Sequence, residues 1–395
     1  MRTLASRHGI LAVHLLITIL LVPGLVAYTG AAYLHYIALY LAVLLASYVL
    51  LQRFLPVGRP IGERPVLSAV AFIRAVLVAQ VALMAAHWAY LGGIPLWEAL
   101  HQKDDLAIVD IRRSAGEDVP TALAYASHFM IKAFVPFALL LAWTGHRRLF
   151  WALAVTAGLY AASLLAKSFV VTLFVPLWIA FLLGRHWGRF LGLSAVFALL
   201  IVALSTAANP QKLATVEVGE QGRTEAVDEG VKKYGFLGDA VLGVGSRILL
   251  MPGHTVAEWF MHIPADLPHA KGAAIRPWAV AQGKPYVDYS EKIYDLAYPE
   301  MAEKQVPGTM GSASFMYGYA NFGAWGLAGS GLITAIWLLL VQRVFGGRWR
   351  WALALNTFPL LALSASALPT VLLTHGWLPT IVLFLVLCPS NEPGE

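Results

Sequence analysis

Long apolar runs, separated by short polar segments, make up most of the sequence. A run of about 20 apolar residues is long enough to cross the ~30 Å hydrocarbon core of a bilayer as one α-helix. The pattern therefore predicts an all-α, polytopic membrane helix bundle with about ten transmembrane helices. The predicted spans lie near residues 9–28, 31–52, 67–90, 121–144, 149–165, 168–184, 190–208, 320–341, 352–369 and 374–388.

The first apolar run follows Arg2, Arg7 and His8, an arrangement that a secretory signal peptide would also produce. The run from 9 to 28 is longer than the apolar core of most signal peptides, and a second apolar run follows at once. We therefore interpret it as the first membrane helix.

Two longer polar segments divide the chain into three predicted parts. The N-terminal membrane bundle covers residues 1–208 and includes an outer loop at 91–120. A large extracytoplasmic loop follows at 209–315, and the C-terminal spans lie within 316–395. A connection as long as the second one is usually functional or separately folded, so we expect short helices and a site within it.

Arginine is concentrated in alternate segments between the spans. The segments 53–64, 145–148, 185–189 and 342–350 each contain two or more arginines. Loops of this kind remain in the cytoplasm, which predicts both termini inside and residues 209–315 outside. The same distribution argues against nucleic-acid binding as the reason for the net charge of +6. A charged fraction of only 13% also argues against a soluble protein of this length.

The large loop contains the pattern of a short amphipathic helix near residues 254–263, after a predicted break at Pro252 and Gly253. Apolar side chains at helical spacing form one face of this helix: Val256, Trp259, Phe260 and Ile263. Polar side chains recur every four residues on the opposite face: His254, Glu258 and His262. Residues at this spacing are neighbours on a helix surface.

Three interpretations of this polar face stay open. The first is the water-facing side of a helix that lies at the membrane surface. The second is a catalytic site, because imidazole titrates near neutrality and His254 or Glu258 could accept a proton from an attacking hydroxyl. The third is a metal site, although the spacing differs from that of zinc proteases and no cysteine is nearby.

Several basic residues fall in segments that are predicted to lie outside, against the usual charge bias. Arg223, Arg247 and Arg276 belong to the large loop, and Lys167 lies at the tip of the hairpin formed by residues 149–184. Guanidinium groups bind phosphate oxygens with paired hydrogen bonds, so these residues are candidates for binding a phosphorylated substrate. Structural ion pairs with the acids of the loop are the alternative.

Charged residues also occur inside the predicted spans. Arg74 lies in the third span, and Lys132 lies near the middle of the fourth, one helical turn from His128. Charges at such depth are costly and often functional, although an interhelical pair would also explain them. Carboxylates are nearly absent from the spans, which argues against a transporter coupled to protons or sodium ions.

Three motifs give the sequence a resemblance to a known family. The stretch Tyr319-Ala-Asn-Phe-Gly-Ala-Trp-Gly326 resembles a signature of the bacterial oligosaccharide repeat-unit polymerases, the O-antigen or Wzy type of membrane glycosyltransferase. Gly245-Ser-Arg-Ile248 is similar to the arginine segment that opens the main loop helix of that family. Ala162-Ser-Leu-Leu-Ala-Lys-Ser168 is similar to its basic residue between two spans, where arginine is commoner than the lysine found here.

The resemblance implies a metal-independent, GT-C-like glycosyltransferase without a cofactor, at the periplasmic face of a bacterial inner membrane. Its partners would be undecaprenyl-pyrophosphate-linked oligosaccharides, and a chain-length regulator is a further possible partner. The residues agree with this reaction, so we expect catalytic roles for three of them: His254 or Glu258 would take the hydroxyl proton, and Arg247 would stabilise charge on the departing pyrophosphate. We expect substrate-binding roles for five further residues, of which the first three lie in the family-like motifs and the last two are outer arginines: Lys167, Tyr319, Asn321, Arg223 and Arg276.

Three other functions remain open on the sequence. An O-antigen ligase would use a similar donor with a lipid A core acceptor. A lipid or solute transporter often has two related halves with matching broken helices, and no such halves are visible in the sequence. A structural subunit without catalysis would tolerate the loss of Lys167, Arg247 and His254 together.

Overall fold

The computed structural model describes residues 2–55, 65–102, 105–116, 118–208, 245–246, 249–303 and 308–387, together with residues 389 and 393. Every regular element in these ranges is helical, in agreement with the predicted all-α class. Arg223 and Arg247 lie outside the described residues, as does the side chain of Lys167.

The described residues up to 208 form a series of helices. One π-helical turn, Met130–Phe134, joins the seventh and eighth of them. In chain order the described α-helices are α1 (Arg2–Ile19), α2 (Val22–Thr29), α3 (Leu34–Leu51), α4 (Ala69–Leu91), α5 (Pro95–His101), α6 (Asp105–Ser114), α7 (Thr121–Phe129), α8 (Val135–Trp143), α9 (Arg147–Ser163), α10 (Lys167–Leu183) and α11 (Trp187–Ala208).

Short helices follow in the predicted loop, and longer ones follow near the C-terminus. They are α12 (Met251–His262), α13 (Arg276–Ala281), α14 (Tyr289–Ala297), α15 (Pro299–Glu303), α16 (Ser314–Phe345), α17 (Trp349–Ala362), α18 (Leu368–Leu373) and α19 (Trp377–Leu387).

Six helical segments of the described chain are long and apolar enough to cross a bilayer. They are Arg7–Thr29, Leu34–Leu51, Ala69–Leu91, Thr121–Trp143, Ser314–Phe345 and Leu368–Leu387. These segments indicate a helical membrane protein, as the sequence predicts. The larger number of ten spans stays a prediction, because the other apolar helices, such as Ser168–Leu183 and Trp187–Leu200, are shorter.

Contacts divide the chain into two compact units. The first contains Met1–Pro60, Val244–Gly347 and Leu360–Val371, and the second contains Ile61–Gly243, Arg348–Pro359 and Leu372–Glu395. The predicted division at residues 208 and 315 concerns spans and loops along the chain rather than contacts, and it stays a prediction.

Close packing of backbones organises the first unit. Helix α16 packs along α3, where a Cβ added to Gly331 would come within 2.9 Å of the Tyr40 carbonyl oxygen. Helix α12 packs against α2, and there Gly24 and Gly253 bring the two backbones into direct contact. Small residues permit such approach between membrane helices.

Helix α16 bends sharply at Gly323, whose φ of 61° lies in the left-handed region that favours glycine. The bend places Gly318 and Gly326 against each other, with no room for a side chain at either position. The sequence shows small residues at both positions, which permit close helix packing. It does not predict that Gly318 and Gly326 pack against each other across a bend in one helix.

In the second unit, α8 is the central helix, and every residue from Val135 to Ala142 is buried. Helices α4, α9 and α10 pack around it. The π turn before α8 has a local cause: Pro136 has no N–H to donate to the carbonyl of Lys132, four residues earlier. A wider turn in a helix commonly follows from such a loss.

Candidate functional site

The helix predicted at 254–263 exists in the first unit as α12, but it begins earlier. It starts at Met251, so Pro252 lies in its first turn, and it ends at His262. The predicted break at Pro252 and Gly253 is therefore wrong. Proline is accepted in the first turn of a helix, because the N–H that it lacks would have no partner there.

Both faces of α12 are buried. The apolar face is as predicted, with Val256, Trp259 and Phe260 almost completely covered. The polar face is covered as well, since His254 is only 9% exposed and Glu258 only 7%. A helix that lies on the membrane surface with its polar side in water does not match this burial.

The polar residues of α12 form one connected series of contacts, which we call the polar relay: His254, Glu258, His262 and Asp266. His254 Nε2 lies 2.8 Å from Glu258 Oε1, and Glu258 Oε2 lies 3.3 Å from His262 Nε2. His262 Nδ1 in turn lies 2.6 Å from Asp266 Oδ2. The Asp266 side chain is 53% exposed, so the relay connects a buried imidazole with the surface.

Aromatic rings enclose the inner end of the relay. Tyr28, at the end of α2, stacks on the His254 ring with centroids 3.9 Å apart. Burial raises the pKa of the Tyr298 phenol, and the neighbouring Glu258 carboxylate raises that pKa further. Tyr298 is therefore a neutral hydrogen-bond donor beside a carboxylate at neutral pH.

The two ring nitrogens of His254 have different surroundings. Within the described residues, its buried Nδ1 has no hydrogen-bond partner, whereas Nε2 contacts Glu258. A carboxylate at Nε2 holds the proton on that nitrogen and leaves the lone pair on Nδ1. This is the arrangement in which a carboxylate orients a histidine base and stabilises the imidazolium that forms.

The predicted substrate residues Tyr319 and Asn321 hold the protein's own backbone. The Asn321 amide accepts hydrogen bonds from the N–H groups of Gly272 and Ala274, at 2.9 and 3.1 Å. The Tyr319 hydroxyl donates to the Ile263 carbonyl at 3.2 Å, directly after α12. These contacts brace the segment that follows the relay, and a role in substrate binding stays a prediction.

Of the three arginines named in the predicted large loop, the structure describes one, Arg276. Arg276 is exposed and lies 4.6 Å from the centre of the Tyr286 ring. Burial and the nearby Asp288 raise the pKa of Tyr286, so its phenol stays protonated. A phosphate-binding role for Arg223, Arg247 and the side chain of Lys167 falls outside the described residues.

Sequence reasoning missed several parts of the site. Asp266 continues the four-residue spacing of 254, 258 and 262, so that periodicity could have revealed it. Tyr28 and Tyr298 carry no such signal, because they come from distant parts of the chain. In the described ranges, no three His, Cys, Asp or Glu side chains converge as metal ligands, and metal independence stays a prediction.

The fold and the site together define a helical membrane protein with a buried histidine–carboxylate relay. Comparisons with protein-family models, with curated proteins and with solved structures found no match to this chain.

Proposed function

We propose that the protein is a membrane glycosyltransferase that polymerises undecaprenyl-pyrophosphate-linked oligosaccharide repeat units at the periplasmic face of a bacterial inner membrane. The observation that carries the proposal is the buried hydrogen bond between His254 and Glu258, which leaves Nδ1 of the histidine as a candidate base. The apolar helices and the resemblance of Tyr319–Gly326 to the polymerase signature add support.

In the proposed reaction, His254 acts on the hydroxyl of the acceptor sugar. The hydroxyl proton passes to Nδ1 while the oxygen forms its bond to the anomeric carbon of the donor glycan. The bond from that carbon to the pyrophosphate oxygen breaks, and its electron pair leaves with undecaprenyl pyrophosphate. Glu258 stabilises the imidazolium during this step and keeps the ring oriented.

The outer basic residues would act on the leaving group. Charge grows on the pyrophosphate as the glycosidic bond breaks, and donors placed around it stabilise the transition state. Arg247, Lys167, Arg223 and Arg276 are the candidates for this role. The assignment of these four residues to the leaving group rests on the sequence.

The direct test is to incubate the purified protein with a lipid-linked repeat unit and to separate the products by size. We expect a ladder of polymers from the natural protein and, for His254→Gln, a rate lower by about a hundredfold or more. His101→Gln is the matched control, because His101 is exposed and, among the residues that the structure describes, its hydrogen-bond partner is the carbonyl of Trp97 in its own helix. A full ladder from His254→Gln would remove the histidine from the mechanism.

The same assay separates the alternatives by acceptor. An O-antigen ligase would attach the glycan to a lipid A core oligosaccharide and would yield no ladder from repeat units alone. A lipid or solute transporter would leave the glycan unchanged with either acceptor. Either result from folded protein would overturn the polymerase proposal.

A further inference from the structure

A cluster of basic side chains lies inside the second unit, apart from the polar relay. It consists of His128, Lys132 and His375, which lie within electrostatic range of one another. The Lys132 ammonium lies 6.0 Å from the centre of the Phe169 ring, and the His128 ring meets the same phenylalanine edge-on at 5.8 Å. The cluster therefore combines side chains from α7, from the π turn and from the segment before α19, and Phe169 of α10 packs beside it.

The backbone around this basic cluster favours negative charge. Phe169 lies in the first turn of α10, and His375 lies just before the start of α19. Gly376 packs against the π turn, where an added Cβ would come within 2.8 Å of the Ala133 Cβ. The beginnings of two helices thus adjoin the cluster, and a helix N-terminus carries partial positive charge.

A cation in this position lacks a partner of opposite charge within the described chain. Lys132 is the central residue of the apolar segment Thr121–Trp143 and is only partly buried, yet no described carboxylate pairs with it. Burying an ammonium group is costly unless an anion compensates. A structural ion pair, the alternative that the sequence leaves open, is absent from the described residues.

We infer that His128, Lys132 and His375 form a binding site for a phosphate or pyrophosphate anion. Lysine supplies a full charge with three donors, and each histidine supplies a directional N–H donor. Phe169 and the surrounding apolar helices strengthen these interactions by excluding water. The inference does not depend on the proposed transferase activity, because the site and the polar relay share no residue.

The test measures binding to the purified protein in detergent, with inorganic pyrophosphate as the first probe and no glycan present. We expect saturable binding that weakens about tenfold or more in Lys132→Met. Lys132→Arg should retain binding, because it keeps the charge. Arg74→Gln is the matched control: Arg74 is an exposed cation on α4 of the same unit, and its removal should change affinity less than about twofold.

A second probe separates the two sources of such an anion. If a short isoprenyl pyrophosphate binds and inorganic pyrophosphate does not, the site accepts a lipid headgroup; if both bind equally, it accepts the free anion. In either case Lys132→Met must weaken the binding. Equal affinity in Lys132→Met and in the natural protein, or no binding of either probe, would overturn the inference.

A further pair of variants covers the case in which Lys132→Met fails to fold, as judged by gel filtration and thermal unfolding. His128→Leu and His375→Leu each remove one hydrogen-bond donor, and each should weaken binding about fivefold. Natural affinity in both histidine variants would then show that the basic cluster does not bind the anion. Because no acceptor sugar is present, this outcome is distinct from a failure of the transferase proposal.

Discussion

At the scale of single residues, the position of one carboxylate determines what the histidine can do. Glu258 is 7% exposed and contacts both His254 and His262 through different oxygens. An isolated buried carboxylate would be costly, whereas this one has an imidazole nitrogen within 3.3 Å of each oxygen. The relay therefore keeps a negative charge beside the imidazole that the proposed reaction would protonate.

Replacing Glu258 with glutamine tests the charge separately from the shape. Glu258→Gln can still accept a hydrogen bond from His254, but it cannot stabilise an imidazolium by charge. We expect the turnover rate to fall by about a hundredfold or more, with little change in substrate affinity, because the charge acts mainly in the transition state. The measurement is the initial rate of polymer formation at several donor concentrations.

Asp266→Asn is the control for this variant. Asp266 contacts only the outer histidine of the relay, and its side chain is 53% exposed, so water can replace it. We expect a loss of less than about tenfold. If Glu258→Gln keeps the natural rate, Glu258 has no electrostatic part in the reaction, and the proposed base loses its orienting partner.

At the scale of elements, the polar relay depends on how closely α12 approaches α2. Tyr28 reaches His254 because α2 and α12 touch through Gly24 and Gly253. A Cβ at Gly253 would overlap the backbone of Leu21 and Leu25, which no side-chain rotation can relieve. The two helices would have to separate, and the stacking of Tyr28 on His254 would be lost.

Gly253→Ala is therefore expected to lower both thermal stability and activity. Alanine favours a helix over glycine by about 1 kcal/mol, but overpacking a backbone contact costs about 1–3 kcal/mol, so the net effect is destabilising. Thermal unfolding in detergent and the polymerisation rate are the measurements. Gly329→Ala is the matched control, since Gly329 is a helical glycine of α16 with open space around it, and this variant should be as stable as the natural protein or slightly more so.

The helices also show how much of the fold could be predicted from the sequence. Each of the ten predicted spans overlaps a described helix, because apolar runs of this length have few alternatives to a helix. The bend at Gly323 and the π turn at Met130–Phe134 were not predicted, because a glycine or a proline in an apolar run permits such a departure from a regular helix without requiring it. Periodicity also placed His254, Glu258 and His262 on one face of α12.

The surroundings of that face could not be predicted. Tyr28 stacks on His254, and Tyr298 lies within electrostatic range of Glu258, yet both are separated from α12 by more than 30 residues in the sequence. For the same reason, the polymerase-like signature at Tyr319 and Asn321 did not reveal that these side chains bond the backbone after α12. Periodicity finds neighbours on one helix and says nothing of those on another.

At the scale of the whole molecule, the proposed reaction requires the polar relay to lie on the outer side of the membrane. Only there would lipid-linked repeat units meet the residues of the 209–315 segment. The distribution of arginine predicts this orientation, because the segments at 53–64, 145–148, 185–189 and 342–350 alternate with the predicted outer ones. The orientation is independent of every contact described above, and it therefore needs its own test.

Cysteine labelling provides that test. The chain has a single cysteine, Cys388, so Cys388→Ala gives a background in which one new cysteine can be followed. Gln282 and Gly145 are both exposed, and they lie on opposite sides of the predicted topology. In intact cells, a membrane-impermeant maleimide should label Gln282→Cys and leave Gly145→Cys unlabelled until the membrane is permeabilised. The reverse pattern would place the relay in the cytoplasm, where a periplasmic polymerase could not use it.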